Sequence, residues 1–272
     1  MVAYSVAQLD DRLRPSPLMP VLFVGHGSPM NAISDNAYTR AWSAVGADLP
    51  EAQAIVVISA HWLTPGSTHI TDAPRNRIIY DFGGFPDELS RVHYDSVGDP
   101  AVAAAIARQF VDYEAELDQQ WGLDHGTWSV LAHLAPAPEI PVLQISVDYE
   151  MPLPELYRLY GQLRAMRRRG VVFIGSGNIV HALGRVKWDG GPAWDWAQQF
   201  DADTATALRD RDVGKLLDPY GTWSEARIAV PTDDHYRPMV AALSLLEDHE
   251  DMRFFNDEID MGAIGMRSFI TV

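Results

Sequence analysis

The sequences VLFVGHG at residues 21–27 and IVVISAH at residues 55–61 decide the fold prediction for this chain. Each begins as a short run of Val, Ile, Leu or Phe, which is typical of a strand buried on both faces of a parallel sheet. Each run then reaches a histidine, His26 in the first and His61 in the second. Open α/β proteins bind ligands at the carboxyl edge of the sheet, where such strands end. We therefore expect two imidazoles side by side at this edge, as half of a metal site.

Two more apolar runs, at 141–147 and 171–175, have the same character, and helical patterns lie between the runs. This alternation predicts a single α/β domain with a mostly parallel central sheet flanked by helices. We place the domain at residues 19–272, after an N-terminal extension of residues 1–18. The stretch 252–271 is expected to add edge strands. Helices are predicted over 101–110, opened by Asp99 and Pro100, and over 154–169, 192–211 and 236–248.

Composition narrows the classes of partner and ligand. The 272 residues carry a formal net charge of −16, which disfavours nucleic acid and anionic membranes as partners. The basic run Arg167–Arg169 is expected to be a solvated helix end. The chain has no cysteine, so a transition-metal site must use histidine and carboxylate. No apolar run approaches the roughly 20 residues that span a bilayer, and no signal peptide is evident, so we expect a soluble cytoplasmic protein.

Three further histidines occur in settings typical of binding loops. His181 follows GSGNIV, His125 lies between Asp124 and Gly126, and His235 precedes an apolar helix. The glycine pair before His181 partly matches a dinucleotide fingerprint, but Val180 occupies the third glycine position, so we favour a loop that admits a small substrate. A purely structural role remains the alternative for each histidine. We assign no role to the remaining four, which are His69, His93, His133 and His249.

Six motifs occur in order and resemble those of class III extradiol (LigB-like) ring-cleavage dioxygenases, in their 4,5-DOPA dioxygenase-like branch. They are GHGSPM (25–30), SAHW (59–62), YDFGGFP (80–86), GLDHGTW (122–128), GSGNIVH (175–181) and DDHYRP (233–238). The resemblance implies an enzyme that requires Fe(II) for activity, with Zn(II) as an alternative bound metal. It would cleave a catechol ring with O2 to a ring-opened semialdehyde. The expected partners are therefore a small aromatic substrate and O2, and the expected assembly is a monomer or small homo-oligomer.

The resemblance also implies roles for individual residues. The metal ligands would be His26, His61 and His235. His181 would be the catalytic acid/base and a fourth ligand in a zinc-loaded state, and His125 would be a catalytic residue beside the substrate or oxygen. The segment from Tyr80 to Pro86 would line the substrate mouth. Aromatic side chains that offer flat walls for a catechol are Tyr80, Phe82, Phe85, Trp62 and Trp128, with core packing as the alternative role of the last four.

One departure from the family pattern leaves the resting metal open. Many class III extradiol enzymes use two histidines and a glutamate, whereas His235 stands at the third position here, with Asp233 and Asp234 beside it as alternative carboxylate ligands or helix caps. A zinc-dependent hydrolase and a non-enzymatic binding protein on the same fold are the alternative functions. Candidate partners for a substrate carboxylate are Arg75, Arg77 and Arg237.

Overall fold

The computed structural model describes residues 12–111, 113–136 and 139–272. The strands are β1 (Val21–Gly25), β2 (Ala54–Thr64), β3 (Thr68–Thr71), β4 (Ala115–Asp118), β5 (Val142–Asp148), β6 (Val171–Gly177), β7 (Met252–Phe255), β8 (Ile259–Asp260), β9 (Ile264–Gly265) and β10 (Ser268–Thr271). The α-helices are α1 (Ala37–Ala47), α2 (Pro100–Ala107), α3 (His125–Leu134), α4 (Leu153–Gly161), α5 (Asp195–Arg209), α6 (Val213–Leu217), α7 (Pro219–Thr222), α8 (Ala226–Ala229) and α9 (Arg237–Ser244). Short 3-10 helices cover Pro29–Ala32, Leu89–Arg91, Arg164–Arg169 and Leu183–Arg185.

An eight-stranded sheet forms the centre of the molecule, in the order β4-β3-β5-β2-β6-β1-β10-β7. The four strands β5, β2, β6 and β1 are parallel neighbours, and they are the four apolar runs of the sequence. Phe173 packs into the core on one face of the sheet, and its neighbour Ile174 packs on the other. Because both faces are covered, these strands are apolar throughout rather than alternating. The predicted α/β fold with a mostly parallel sheet flanked by helices is confirmed.

The sheet differs from the prediction at its two sides. β10 pairs antiparallel with both β1 and β7, so it is an internal strand. The C-terminal stretch was expected to add edge strands to the sheet, and only β7 is one. Strands β3 and β4 extend the other side and were not predicted, because four residues are too few for a clear hydrophobic period. β8 and β9 form a separate two-stranded ribbon.

The helices follow the predicted caps where a cap is present. Asp99 accepts hydrogen bonds from the backbone N–H of Ala101 and Val102 and starts α2 as predicted. The helix predicted over 154–169 is instead α4 followed by the 3-10 helix Arg164–Arg169, which ends at Gly170 in the left-handed region (φ 76°). Neither Asp233 nor Asp234 caps α9 through its side chain.

The basic run Arg167–Arg169 is not the uniformly solvated helix end that the sequence suggested. Arg167 is fully buried and forms a bidentate ion pair with Glu250, while Arg168 lies at the surface. A sequence of three arginines does not distinguish which one faces the core.

Residues 1–11 of the predicted N-terminal extension lie outside the described residues. Within its described part, Leu13 is buried in the core and the Arg14 N–H donates to Gln53 Oε1 at 2.9 Å. The domain boundary at residue 19 stays a prediction. Within the described residues, none of the helices has the length and apolar character needed to cross a membrane.

Candidate active site

A cavity of about 580 Å³ opens at the carboxyl edge of the parallel strands. Five histidines line it, and they are the five that the sequence singled out: His26, His61, His125, His181 and His235. The other four histidines do not line the cavity. Segments that are up to 209 positions apart, from 26 to 235, therefore converge on one site.

His26 and His61 meet across an intervening strand rather than from adjacent ones. β6 lies between β1 and β2 and ends in the small residues Ser176 and Gly177, so both rings converge above its end. Their Nε2 atoms are 3.2 Å apart. The register of β2 shifts between Ile58 and Leu63, which re-aims the segment carrying His61. The expected pair of imidazoles is present, although the strands that carry them are not neighbours.

His235 reaches the same point from the segment before α9. Its backbone carbonyl accepts from the Asn178 N–H at 2.9 Å. A Cβ at Gly177 would lie 2.2 Å from that carbonyl oxygen, so this close approach requires glycine. Gly175 and Gly177, at the end of β6, thus serve close backbone packing rather than forming the expected loop that admits a small substrate.

The side-chain nitrogens of His26, His61 and His235 form a compact donor set. One nitrogen of each lies within 4.8 Å of the others. His235 Nε2 is buried and has no hydrogen-bond partner among the described residues. A buried polar atom without a partner costs about 1–3 kcal/mol, so such an atom indicates a ligand that is not part of the protein.

Hydrogen bonds at Nδ1 fix which nitrogen of His26 and His235 faces the cavity. The Ser176 hydroxyl donates to Gly126 O at 2.5 Å, so its oxygen accepts from His26 Nδ1–H at 3.0 Å. Asp234 accepts from His235 Nδ1–H at 2.5 Å. Both rings are therefore held with an unprotonated Nε2, which is the form that ligates a metal.

Burial keeps the imidazoles neutral. It lowers the pKa of His61 to about 3 and that of His181 to about 4, and it lowers the pKa of His26 and His235 well below the usual value. Mutual repulsion of neighbouring histidines adds to this effect at each of the four sites. Neutral imidazole is the form that accepts a proton or binds a cation.

Asp81 links two of the histidines and was not singled out from the sequence. Its carboxylate accepts from the N–H and from the Nδ1–H of His125, both at 2.9 Å, and lies 3.4 Å from His61 Nδ1. Burial raises the pKa of Asp81, but the side-chain and backbone hydrogen bonds from His125 and the electrostatic attraction of His125 and His61 together outweigh it, so the net shift is downward. The available signal was its position within YDFGGFP, where it is the single ionisable group besides Tyr80.

His125 starts α3, and a buried cap holds it there. The Asp124 side chain accepts from the Thr127 N–H and from Ser59 Oγ–H at 2.8 Å. Burial, with a contribution from Asp81, raises the pKa of Asp124 to about 6. With Asp81 at Nδ1, the free nitrogen of His125 is Nε2.

His181 lies on the other side of the donor set. Its ring stacks on that of His235 with centroids 3.4 Å apart and planes 12° apart. A ring nitrogen of His181, an oxygen of Asp234 and a nitrogen of His235 lie within 4.8 Å of one another. This arrangement suits either a fourth ligand or a proton-transferring group beside the site.

The predicted aromatic walls divide into two groups. Phe82 and Phe85 line the cavity, whereas Tyr80, Trp62 and Trp128 do not. Trp62 follows His61 in β2, and successive strand residues point to opposite faces, so its ring is buried against Trp121 with centroids 5.3 Å apart.

Tyr80 and Trp128 support the cavity wall from behind. Trp128 is fully buried and donates its Nε1–H to Ile79 O at 3.0 Å. The Tyr80 hydroxyl donates to Val92 O at 2.7 Å. The centroid of each ring lies 6.1 Å from the centroid of the Phe82 ring.

Two charged residues beside the site are engaged in structural contacts: Arg237, a candidate partner for a substrate carboxylate, and Asp233, an alternative metal ligand. Arg237 forms a bidentate ion pair with Asp233 and donates to two backbone carbonyls. Of Asp233 and Asp234, it is Asp234 that lies with the histidines of the cavity. Arg75 and Arg77 are exposed and do not line the cavity.

The donor set fits a first-row transition metal. Three neutral imidazole nitrogens with adjacent carboxylates suit Fe(II) or Zn(II), and the chain has no thiolate that would favour softer ions. The unpartnered Nε2 of His235 is the observation that supports this fit.

Comparisons with known proteins show what this chain is similar to over most of its length. The family model described as the catalytic LigB subunit of aromatic ring-opening dioxygenase matches residues 20–262. The 4,5-DOPA dioxygenase extradiol of Escherichia coli (strain K12) is 37% identical over 96% of this chain and 97% of its own length. The protein of the same name from Beta vulgaris is 31% identical over 91% and 94%. The crystal structure of an uncharacterized protein from Escherichia coli K12 matches with a TM-score of 0.81 and 34% identity, covering 93% of this chain and 99% of that one.

Proposed function

Because the chain belongs to the LigB family and is an extradiol ring-cleaving dioxygenase, we propose that it opens a catechol ring with O2 to a ring-opened semialdehyde. The observation that carries the proposal is the donor set of His26, His61 and His235. Within this set, His235 Nε2 is buried without a partner among the described residues. We propose these three as the metal ligands, Fe(II) as the metal of the active enzyme and Zn(II) as an alternative bound metal.

The bound Fe(II) would supply the binding positions for the catechol oxygens and for O2. Every other contribution comes from the chain. Phe82 and Phe85 offer apolar surface on which the flat ring can pack. The enclosed floor of the cavity excludes bulk water, which strengthens each polar interaction made there.

We propose His181 as the acid/base. Its ring is neutral near pH 7 because burial lowers its pKa to about 4, so it can take a phenolic proton and return it as the ring opens. Its position against His235 places it within the lining of the cavity and beside the donor set. In a zinc-loaded state in which His181 is a fourth ligand, its ring nitrogen would be bound to the metal. It could then not accept a proton.

We propose that His125 acts in its doubly protonated form, with Nδ1–H donated to Asp81 and Nε2–H donated to the negative charge that develops on oxygen during the reaction. Asp81 fixes the ring by accepting from Nδ1–H and from the backbone N–H. A fixed donor to developing charge is worth about 3 kcal/mol in comparable sites.

The experiment is oxygen uptake by anaerobically Fe(II)-reconstituted protein with a panel of catechols that includes DOPA and caffeate. We expect uptake with a new semialdehyde absorbance in the iron sample and none in a zinc-loaded control. A protein with stoichiometric iron that consumes no oxygen with any catechol would contradict the proposal. That result would favour the zinc hydrolase or the binding protein.

A further inference from the structure

The cavity changes character from floor to mouth. Its floor consists of buried histidines, whereas its mouth carries apolar side chains that are open to water. Leu183 is 58% exposed and Trp188 is 77% exposed, yet both line the cavity. We call the side chains of Leu183, Trp188 and the half-buried Met261 the apolar rim; Ile264 also lines the cavity but is buried.

Backbone contacts fix the loop that presents this rim. The Ala182 N–H donates to Ala263 O at 3.2 Å, and the Lys187 N–H donates to Met261 O at 2.8 Å. Leu183 lies on the 3-10 helix Leu183–Arg185 between these two anchors. The rim is therefore held in place from both ends, next to the ribbon of β8 and β9.

Trp188 contributes little to the packing of the fold. Within the described residues its Nε1–H has no hydrogen bond and its ring has no aromatic or cation–π partner. Single exposed apolar side chains are common at protein surfaces, but Trp188 and Leu183 are exposed together on the wall of the active-site cavity. A substrate group bound there would bury apolar surface of both side chains.

The cavity is larger than a single catechol requires. Its volume of about 580 Å³ lies within the range of pockets that hold drug-sized ligands. The catechol oxygens must reach the histidines of the floor, so a substituent on the ring would extend toward the apolar rim.

The lining offers no partner for a carboxylate on that substituent. Among the described residues that line the cavity there is no lysine or arginine, and the acidic ones are Asp81 and Asp234. Near the rim, the Lys187 ammonium donates to Pro192 O and lies over the Trp194 ring. A substrate carboxylate would therefore find no ion pair in the cavity wall to offset the hydration that it loses on binding.

From these observations we infer that the preferred substrate is a catechol with an uncharged, apolar or aromatic ring substituent, bound by Leu183 and Trp188 as specificity determinants. This inference rests on the proposed ring cleavage. It differs from a preference for amino-acid or carboxylic-acid catechols, which would need a cation in the cavity wall.

The charge preference is tested with an isosteric pair, 3-(3,4-dihydroxyphenyl)propanamide and 3-(3,4-dihydroxyphenyl)propanoate. With the Fe(II)-loaded protein we expect kcat/KM for the amide to exceed that for the acid by about tenfold. Equal values, or a higher value for the acid, would overturn the inference while leaving ring cleavage intact.

Anaerobic binding of the same two compounds to the metal-loaded protein separates the two proposals. If neither compound is cleaved, ring cleavage fails. In that case a tighter dissociation constant for the amide would still support the charge preference, and equal or tighter binding of the acid would overturn it.

The role of Trp188 is tested by the ratio of kcat/KM for 4-phenylcatechol to kcat/KM for unsubstituted catechol. We expect Trp188→Ala to lower this ratio about tenfold, through KM more than kcat, and Trp188→Phe to preserve most of it. Two control variants should leave the ratio unchanged. Arg185→Gln alters a charge on the same turn outside the lining, and Tyr149→Ala removes an exposed aromatic ring elsewhere.

Two results would overturn the role of the apolar rim. One is an unchanged ratio in Trp188→Ala. The other is a change in the oligomeric state of Trp188→Ala, measured by size-exclusion chromatography with light scattering, without a change in the ratio. The second result would make Trp188 a contact between copies of the chain.

Discussion

Two buried polar clusters lie at opposite edges of the sheet, and they differ in how completely their polar atoms are satisfied. At the amino edge, Arg167 donates to both carboxylate oxygens of Glu250 and to the carbonyls of Met19 and Leu245. At the carboxyl edge, His26 and His235 are anchored at Nδ1, but His235 Nε2 has no partner within the described residues.

This difference in hydrogen bonding distinguishes a polar cluster that stabilises the fold from one that can bind a ligand. A saturated cluster stabilises the fold, and nothing further can bind to it. An incomplete cluster costs free energy in the isolated chain, and that free energy is recovered when a ligand completes it. Substitutions at the amino edge should therefore affect stability, whereas those at the carboxyl edge should affect metal binding and turnover.

The largest effect, on metal content and turnover, is expected from removing one of the three proposed ligands in the donor set. His26→Ala or His61→Ala should reduce bound metal from about one ion per chain to almost none, and turnover should fall to background. Metal analysis by mass spectrometry and oxygen uptake measure the two quantities. His249→Ala, at an exposed histidine of the amino edge, is the control. Normal metal content in either ligand variant would refute the ligand assignment.

His181→Ala should separate turnover from metal binding. The three proposed ligands remain, so most of the metal should stay bound, while loss of the acid/base should slow turnover by about 10²–10⁴-fold. The pH profile of kcat should also lose the limb that His181 contributes. Full activity with an unchanged profile would show that His181 transfers no proton.

Glu250→Gln should destabilise the fold and leave the site intact. It leaves the buried Arg167 charge uncompensated, at a cost of about 3–5 kcal/mol in the free energy of unfolding. The control is Glu247→Gln, which removes the neighbouring and more exposed ion pair with Arg168, worth at most about 1 kcal/mol. Urea unfolding measures both. Similar losses in the two variants would contradict the distinction between the pairs.

The same ion pair predicts a pH dependence of stability. Burial raises the pKa of Glu250, but the hydrogen bonds and charge of Arg167 outweigh it and hold the pKa below its usual value. The contribution to stability is thus present above the pKa of the unfolded chain and is lost as pH falls through the lower folded pKa. Wild type should lose this contribution in acid, and Glu250→Gln should have none to lose.

The smallest of these effects is expected at Ser176, which positions a ligand without touching the metal. Ser176→Ala leaves His26 Nδ1 without its acceptor, so metal affinity should fall about 10–100-fold. Competition with a chelator measures the affinity. Ser244→Ala, a buried serine of α9 that donates to a backbone carbonyl, should change it little. Unchanged affinity in Ser176→Ala would show that this hydrogen bond does not control the ring.

The sequence predicted the parts of the site that follow buried strands. Runs of Val and Ile that lead into His26 and His61 have a physical signature, because a strand covered on both faces must be apolar and its end must face solvent or a ligand. The glycine pair before His181 predicted a loop that admits a small substrate, whereas Gly175 and Gly177 lie in β6 and pack closely against backbone carbonyls. His26 and His61 were identifiable from these strand ends, whereas His125, His181 and His235 were singled out by their loop settings and by the family motifs that contain them.

The remaining features depend on contacts between distant segments. Asp81 and Trp188 have no local signature, because one is defined by its contact with His125 and the other by its place beside the cavity. Arg167 is indistinguishable from Arg168 in sequence, although one is buried and the other exposed. That β6 separates β1 from β2 is a property of topology, which hydrophobic periodicity does not encode.

The way His26, His61 and His235 straddle β6 has a consequence for the order of events during biosynthesis. The third nitrogen donor stands at position 235 of 272, so a nascent chain lacks a complete ligand set until most of it has left the ribosome. Two strands must also pair on either side of β6 before the first two donors meet. With these three histidines as the proposed ligands, we expect metal to be acquired late, after folding, and the captured ion to depend on which metals surround the finished protein.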